Sequence, residues 1–193
     1  MASSPTDPDS SGASCEEDLW AFAAAMESGL LSIADVVAWA DGRILQLDRP
    51  PAWLLDLCLA RTQDAALGVL SLESNRRVEA GCGPWLDLET RDDLVMGFLY
   101  LRFERGDLTM GEMLGFAGAY SDAHSYRIDC GTFYYMLNEI DGGGPIIASD
   151  RPLGERIVDL FTPMAELARR WLKGWPTSPP EPGSNAGTRP NIY

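Results

Sequence analysis

The chain contains a single histidine, His124, and it stands two residues after an aspartate in Asp122-Ala123-His124. A carboxylate beside an imidazole can set the ring tautomer and prepare it for general-base work. No nucleophile motif accompanies the pair, and Gly-x-Ser-x-Gly occurs nowhere in the sequence. A histidine at the end of a helix is also favoured simply by the negative end of the helix dipole. His124 and Asp122 therefore count as catalytic candidates only within a site assembled from distant residues. Tyr126 or Tyr134 would then join them in a cleft.

The densest acidic stretch is Asp87, Glu89, Asp92 and Asp93. Adjacent carboxylates can hold Mg²⁺ or share acid–base chemistry. Acids at a helix start also cap the first turn and complement its dipole. Trp85 lies just upstream, and tryptophan is a favoured anchor in protein interfaces. Trp85, Asp87, Glu89, Asp92 and Asp93 thus form the candidate binding surface. Of the six tryptophans, Trp39 and Trp53 sit on apolar helix faces and are expected in the core.

Two further features offer less. Asp141-Gly142-Gly143-Gly144-Pro145 resembles an anion-cradling loop only in its glycines, because a phosphate loop needs a following Lys and a Ser or Thr that opens a helix. It reads as a turn. The four cysteines, Cys15, Cys58, Cys82 and Cys130, are widely spaced and form no Cys-x-x-Cys pair. Neither a zinc site nor a disulfide framework is expected. Cys58 and Cys130 read as small buried hydrophobes. No metal or cofactor is expected.

Charge narrows the partners. With 29 acidic and 15 basic residues, the formal charge is −14. Nucleic-acid binding relies on clustered Lys and Arg, so it is not expected. An acidic surface favours a cationic protein partner, steered in by the long-range field. No apolar run reaches the roughly 18 residues of a membrane span. Residues 1–14 lack the basic and apolar regions of a signal peptide. A cytoplasmic setting without membrane contact is the expectation.

The elements that must position these residues are helices. Gly29-Leu30-Leu31-Ser32-Ile33-Ala34-Asp35-Val36-Val37-Ala38-Trp39-Ala40 is echoed, at an offset of 77 residues, by Gly106-Asp107-Leu108-Thr109-Met110-Gly111-Glu112-Met113-Leu114-Gly115-Phe116-Ala117. Ser32 with Asp35, and Thr109 with Glu112, are hydroxyl and carboxylate at capping-box spacing. Gly29 and Gly106 suit the left-handed residue that stops a preceding helix. Ile33, Val36, Val37, Ala40 and Ile44 form an apolar stripe, matched by Met110, Met113, Leu114, Ala117 and Tyr120. Ala34/Ala38 and Gly111/Gly115 would let another helix approach closely.

The same signals predict helices over about 15–28, 33–47, 52–60, 64–72, 90–105, 110–124, 129–138 and 152–173. Thr90 with Asp93 caps the fifth, and Pro163 bends or splits the last. Ile146-Ile147-Ala148 has strand character but no partner strand. The expected fold class is all-α, with two related helical halves (about 15–72 and 90–173) packed as one bundle or short solenoid-like array. They form a single domain over 15–175, with a connector at 73–89. Residues 1–14 and 176–193 are polar, Ser/Pro-rich tails expected to be disordered.

In composition the chain is similar to small acidic helical proteins of bacteria, including immunity proteins that neutralise toxins. That likeness transfers no site. The expected function is a non-enzymatic protein-binding module, such as an immunity or adaptor protein. The alternative is an enzyme or small-ligand binder with a site between the halves near His124.

Overall fold

The computed structural model describes residues 16–81, 88–143 and 150–174. Among them the chain forms eight helices: α1 (Glu16–Glu27), α2 (Ile33–Ile44), α3 (Ala52–Leu59), α4 (Gln63–Glu79), α5 (Leu88–Glu104), α6 (Met110–His124), α7 (Cys130–Ile140) and α8 (Leu153–Gly174). The described residues contain no strand. The all-α expectation holds. Trp85, Asp87, the short apolar run 146–148 and the expected tails lie outside the described residues.

The capping chemistry appears as the residue types require. Ser32 accepts from the Asp35 amide at 3.3 Å, while the Asp35 carboxylate accepts from the Ser32 amide at 2.8 Å. Thr109 and Glu112 repeat the arrangement at 3.2 and 2.8 Å. Gly29 and Gly106 sit at φ +71° and +79°, where a side chain would be strained. Behind Gly106 the amides of Gly106 and Asp107 bond the carbonyls of Phe103 and Arg102, both at 2.9 Å. This is the Schellman arrangement. The Gly29 turn departs from it: the Leu30 amide goes to the Ser28 hydroxyl at 3.3 Å, and Leu31 reaches back to Ala25 at 3.0 Å.

Packing follows a regular order. α1 rests on α4, α2 on α3, α5 on α8, and α6 on α7, while α1 and α5 meet. Two apolar clusters result. One gathers α5 to α8 around Phe98, Met113, Phe133 and Phe161. The other gathers α2 to α4 around Val36, Leu54, Leu57 and Leu70. α1 serves both. Ala21, Ala24 and Ala25 face the first cluster, while Leu19, Phe22, Ala23 and Met26 face the second. Trp171 of α8 touches both clusters, edge-on to Phe98 and Phe22 with centroids 5.5 and 5.6 Å away. Arg102, in the last turn of α5, donates to the Ser28 carbonyl at 2.6 Å and so caps the C-terminus of α1.

Several expectations need correction. α4 runs on to Glu79, because Glu73 is buried and bonded by Arg76 and Arg77 one turn ahead; residues 73–79 of the expected connector at 73–89 are therefore helix. α5 opens at Leu88, so Thr90 lies inside the helix rather than capping it. Of the two outcomes expected at Pro163 the split does not occur, since α8 runs through it as one helix. The tightest helix approach is not at Ala34/Ala38, which are exposed, nor at Gly115, where a Cβ would have nothing within 4 Å, nor at Gly111, where a Cβ would meet the Leu137 side chain of α7 at an ordinary 3.6 Å. It is at Gly97, where a Cβ would lie 2.7 Å from the Met164 carbonyl carbon and 2.9 Å from Ala168 Cβ. Trp39 and Trp53 are partly rather than fully buried, as are Cys58 and Cys130.

Candidate functional site

The acidic stretch enters the first turns of α5, and from there its members diverge. Glu89 is exposed. Asp92 and Asp93 point into the body, with side chains only 13% and 22% exposed. Each receives a tyrosine hydroxyl from a distant part of the chain. Tyr120 of α6 donates to Asp92 Oδ1 at 2.7 Å. Tyr126, just beyond α6, donates to Asp93 Oδ1 and also lies 3.1 Å from Met164 Sδ. Arg127 closes a fork on Asp93, with Nη2 2.8 and 3.0 Å from its two carboxylate oxygens. Arg91 pairs with Glu27 of α1 and stands 3.8 Å from Asp92.

The result is a half-buried polar network that ties α1, α5, α6 and the α6–α7 turn together. Bonds to a carboxylate are stronger than neutral ones, so these cross-links hold the helix positions firmly. Two buried atoms in it, Glu27 Oε2 and Arg91 Nε, have no hydrogen-bond partner among the described residues. Burial first, and then donation to Asp92, pushes the Tyr120 hydroxyl pKa far above its usual value. Burial and the Asp93 bond do the same to Tyr126. Hydroxyls held protonated in this way are poor bases and poor nucleophiles near neutral pH. In this structure both hydroxyls act as donors that hold Asp92 and Asp93 in place.

His124 lies outside this network. It is exposed, its ring stacks on Tyr120 with centroids 4.1 Å apart, and its Nδ1 is 3.0 Å from the Tyr120 carbonyl oxygen. Asp122 does not join it, because residues two apart on a helix face different directions. Asp122 instead faces the Cys130 thiol at 3.9 Å. Tyr134 packs elsewhere, against Gly118. The candidates for a His124 site are thus not brought together. The described part of the triple-glycine loop terminates α7: Gly142 sits at φ +84°, and the Gly143 amide bonds the Asn138 carbonyl at 2.9 Å. No group of three or more potential metal ligands occurs among the described residues.

Glu27, Arg91 and Arg127, which join the acidic pair in this network, were not foreseen from the sequence. No local signal could have found them, since Arg91 meets Glu27 across 64 positions and Arg127 meets Asp93 across 34. Nor was buried Glu73 foreseen, 4% exposed and held by Arg76 and Arg77 at 2.8 Å each. Their spacing of three and four along one helix was the available signal.

No family model, no curated protein and no solved structure matches this chain. No helix among the described residues is long and apolar enough to cross a membrane.

Proposed function

We propose that this chain is a non-enzymatic protein-binding module, of the immunity or adaptor kind, acting on a cationic partner in the cytoplasm. The observation that carries this reading is how the acidic residues divide. The formal charge is −14. Asp92 and Asp93, the adjacent pair best suited to chemistry, are committed to two tyrosines and an arginine. What remains at the described surface is carboxylate charge without an assembled acid, base and nucleophile. Such a surface steers and orients a basic protein. Glu89 is the exposed described member of the candidate binding stretch.

The two halves are read as copies of one four-helix unit. Support comes from the shared capping boxes and from the packing order, in which first meets fourth and second meets third in the N-terminal half, and the same holds in the C-terminal half. The first helices of the two halves, α1 and α5, then form the seam.

The test is affinity purification of the tagged chain from its native host at low and at moderate salt, with mass spectrometry of what co-elutes. A stoichiometric basic protein, lost as salt rises, is the expected result. A partner-free protein at both salt levels would sink the reading. Cell fractionation checks the cytoplasmic setting.

A further inference from the structure

Two aromatic rings of α7 stand half open to solvent, beside glycines whose own neighbourhood includes two aspartates. Tyr134 is 43% and Tyr135 41% exposed. Four contacts tie their surroundings into one surface at the α6–α7 end. The Tyr134 ring lies on Gly118, where a Cβ would meet it at 2.9 Å. The Tyr135 ring lies beside Gly131, 3.6 Å from its Cβ position. The Gly131 amide donates to Asp129 Oδ1 at 2.9 Å. Asp122, one turn beyond Gly118, faces Cys130 at 3.9 Å. Asp122 and Asp129 are both exposed.

The charge around these rings is predominantly negative. From Glu104 to Asp141 the chain carries seven acidic residues against two arginines. One of those arginines, Arg127, is already bound to Asp93. Among the acids, Glu104 and Glu139 are balanced by Arg169 and Arg156 of α8. Arg127, Arg156 and Arg169 are thus engaged with Asp93, Glu139 and Glu104 rather than with Asp122 or Asp129. The rings beside those two aspartates present negative π faces. Arginine is the side chain that satisfies both, stacking on a tyrosine face while its fork reaches a carboxylate. The same acidity disfavours a second copy of this chain at this surface.

We propose that the Tyr134–Tyr135 face of α7, flanked by Asp122 and Asp129, docks an arginine-rich segment of a partner protein. This rests on the protein-binding reading and names the surface and the chemistry it selects. Glycines at positions 118 and 131 admit the two rings beside the hairpin backbone, 2.9 and 3.6 Å from the Cβ positions there, while the tyrosines stay 43% and 41% exposed.

The experiment uses the full chain, labelled with ¹⁵N, and three peptides of one length: arginine-rich, lysine-rich and glutamate-rich. The arginine peptide should bind saturably at low salt and move amides chiefly within 118–122 and 129–138. The lysine peptide should bind more weakly, and the glutamate peptide not at all. Tyr134→Ala and Tyr135→Ala should each weaken the arginine peptide roughly two- to fivefold. Tyr134→Phe, which keeps the ring and its packing on Gly118, should retain affinity, and Asp122→Asn should lower it. Shifts centred on Glu89 and the start of α5 would overturn this surface while leaving the protein-binding reading in place. Absence of saturable arginine-peptide binding, or unchanged affinity in both alanine variants, would overturn it as well. Failure of the protein-binding reading itself shows separately, as a partner-free purification from the host.

Discussion

Replacing Gly97 with alanine should destabilise the protein, against the usual preference of helices for alanine. In an unconstrained helix interior Gly→Ala gains about 1 kcal/mol. Gly97 is not unconstrained. A Cβ there would stand 2.7 Å from the Met164 carbonyl carbon and 2.9 Å from Ala168 Cβ, and closer still to the Met164 carbonyl oxygen. Carbon atoms pack best at roughly 3.5–4.0 Å, so α5 and α8 would have to part by about 1 Å. The obstacle is backbone, which cannot swing aside as a side chain does. Forced separation of a packed pair costs about 1–3 kcal/mol at least, and the gap it opens forfeits contacts on either side of the crossing. The net expectation is a loss of about 2 kcal/mol. For a chain of this size that corresponds to a Tm lower by roughly 4–8 °C. Thermal and urea unfolding followed by circular dichroism read it directly. Gly68→Ala and Gly115→Ala are the controls, since nothing lies within 4 Å of a Cβ at either position. They should raise Tm by up to about 4 °C. A Gly97→Ala protein as stable as the parent, or indistinguishable from the Gly115→Ala control, would refute the packing argument.

The tyrosine network makes the protein sensitive to alkali. Tyr120 and Tyr126 have folded pKa values raised above the roughly 10 of an unfolded tyrosine. Their contribution is therefore complete below about pH 10 and is lost as pH rises beyond it. A tyrosinate absorbance titration should show one fraction ionising normally and another only as circular dichroism reports unfolding. Complete titration of a still-folded protein near pH 10 would exclude this. Tyr126→Phe should cost about 1–2 kcal/mol, read by urea unfolding at neutral pH. Glu73 behaves in the opposite sense. Burial alone would raise its pKa, but the bonds from Arg76 and Arg77 outweigh that and hold it below its usual value. Its contribution is present above about pH 4.3 and lost as pH falls through the folded value. Glu73→Gln should flatten that acid dependence and cost about 2 kcal/mol at neutral pH, against an unchanged acid limb if the pair is inert. Cys58 is pushed up to about 12, by burial and then by the bond and charge of Asp41. Iodoacetamide at mildly alkaline pH should modify it far more slowly in the folded chain than in urea, and Asp41→Asn should speed the reaction. Equal rates by site-resolved mass spectrometry would contradict the assignment.

What was legible in the sequence is what is decided within one turn of helix. Ser32 with Asp35, Thr109 with Glu112, and the stops at Gly29 and Gly106 are local arrangements between a side chain or a backbone turn and its nearest amides, and all of them appear. Alternatives that depend on distant partners were not legible. Thr90 with Asp93 has the same spacing as the true boxes, yet Asp93 is drawn to Tyr126 and Arg127 instead. Small residues at Ala34, Ala38 and Gly115 look like helix contacts, but the contact formed at Gly97, a lone glycine inside the apolar run 94–101. The extension of α4 was hidden because Glu73, Arg76 and Arg77 look like solvent residues until Glu73 is found buried among them. For the candidate site, the acidic pair was visible and its tyrosines were not, since the bonds span 28 and 33 positions.

The double allegiance of α1 has a consequence in time. α1 leaves the ribosome ahead of the other described helices and finds α2 to α4 within the next stretch of chain, whereas α5 and α8 arrive much later. The face it offers early carries Leu19, Phe22 and Met26, the large residues that stand to gain most from rapid burial. The face it must keep waiting is Ala21, Ala24 and Ala25, the least adhesive surface an apolar helix can present. A nascent chain is thereby spared a long interval with sticky side chains uncovered, the condition under which partly made proteins aggregate. Completion falls to Trp171, near the end of α8, which reaches both clusters at once. A ribosome that stops short of it leaves an unfinished seam between the clusters, so truncation there should destabilise the chain and mark it for degradation.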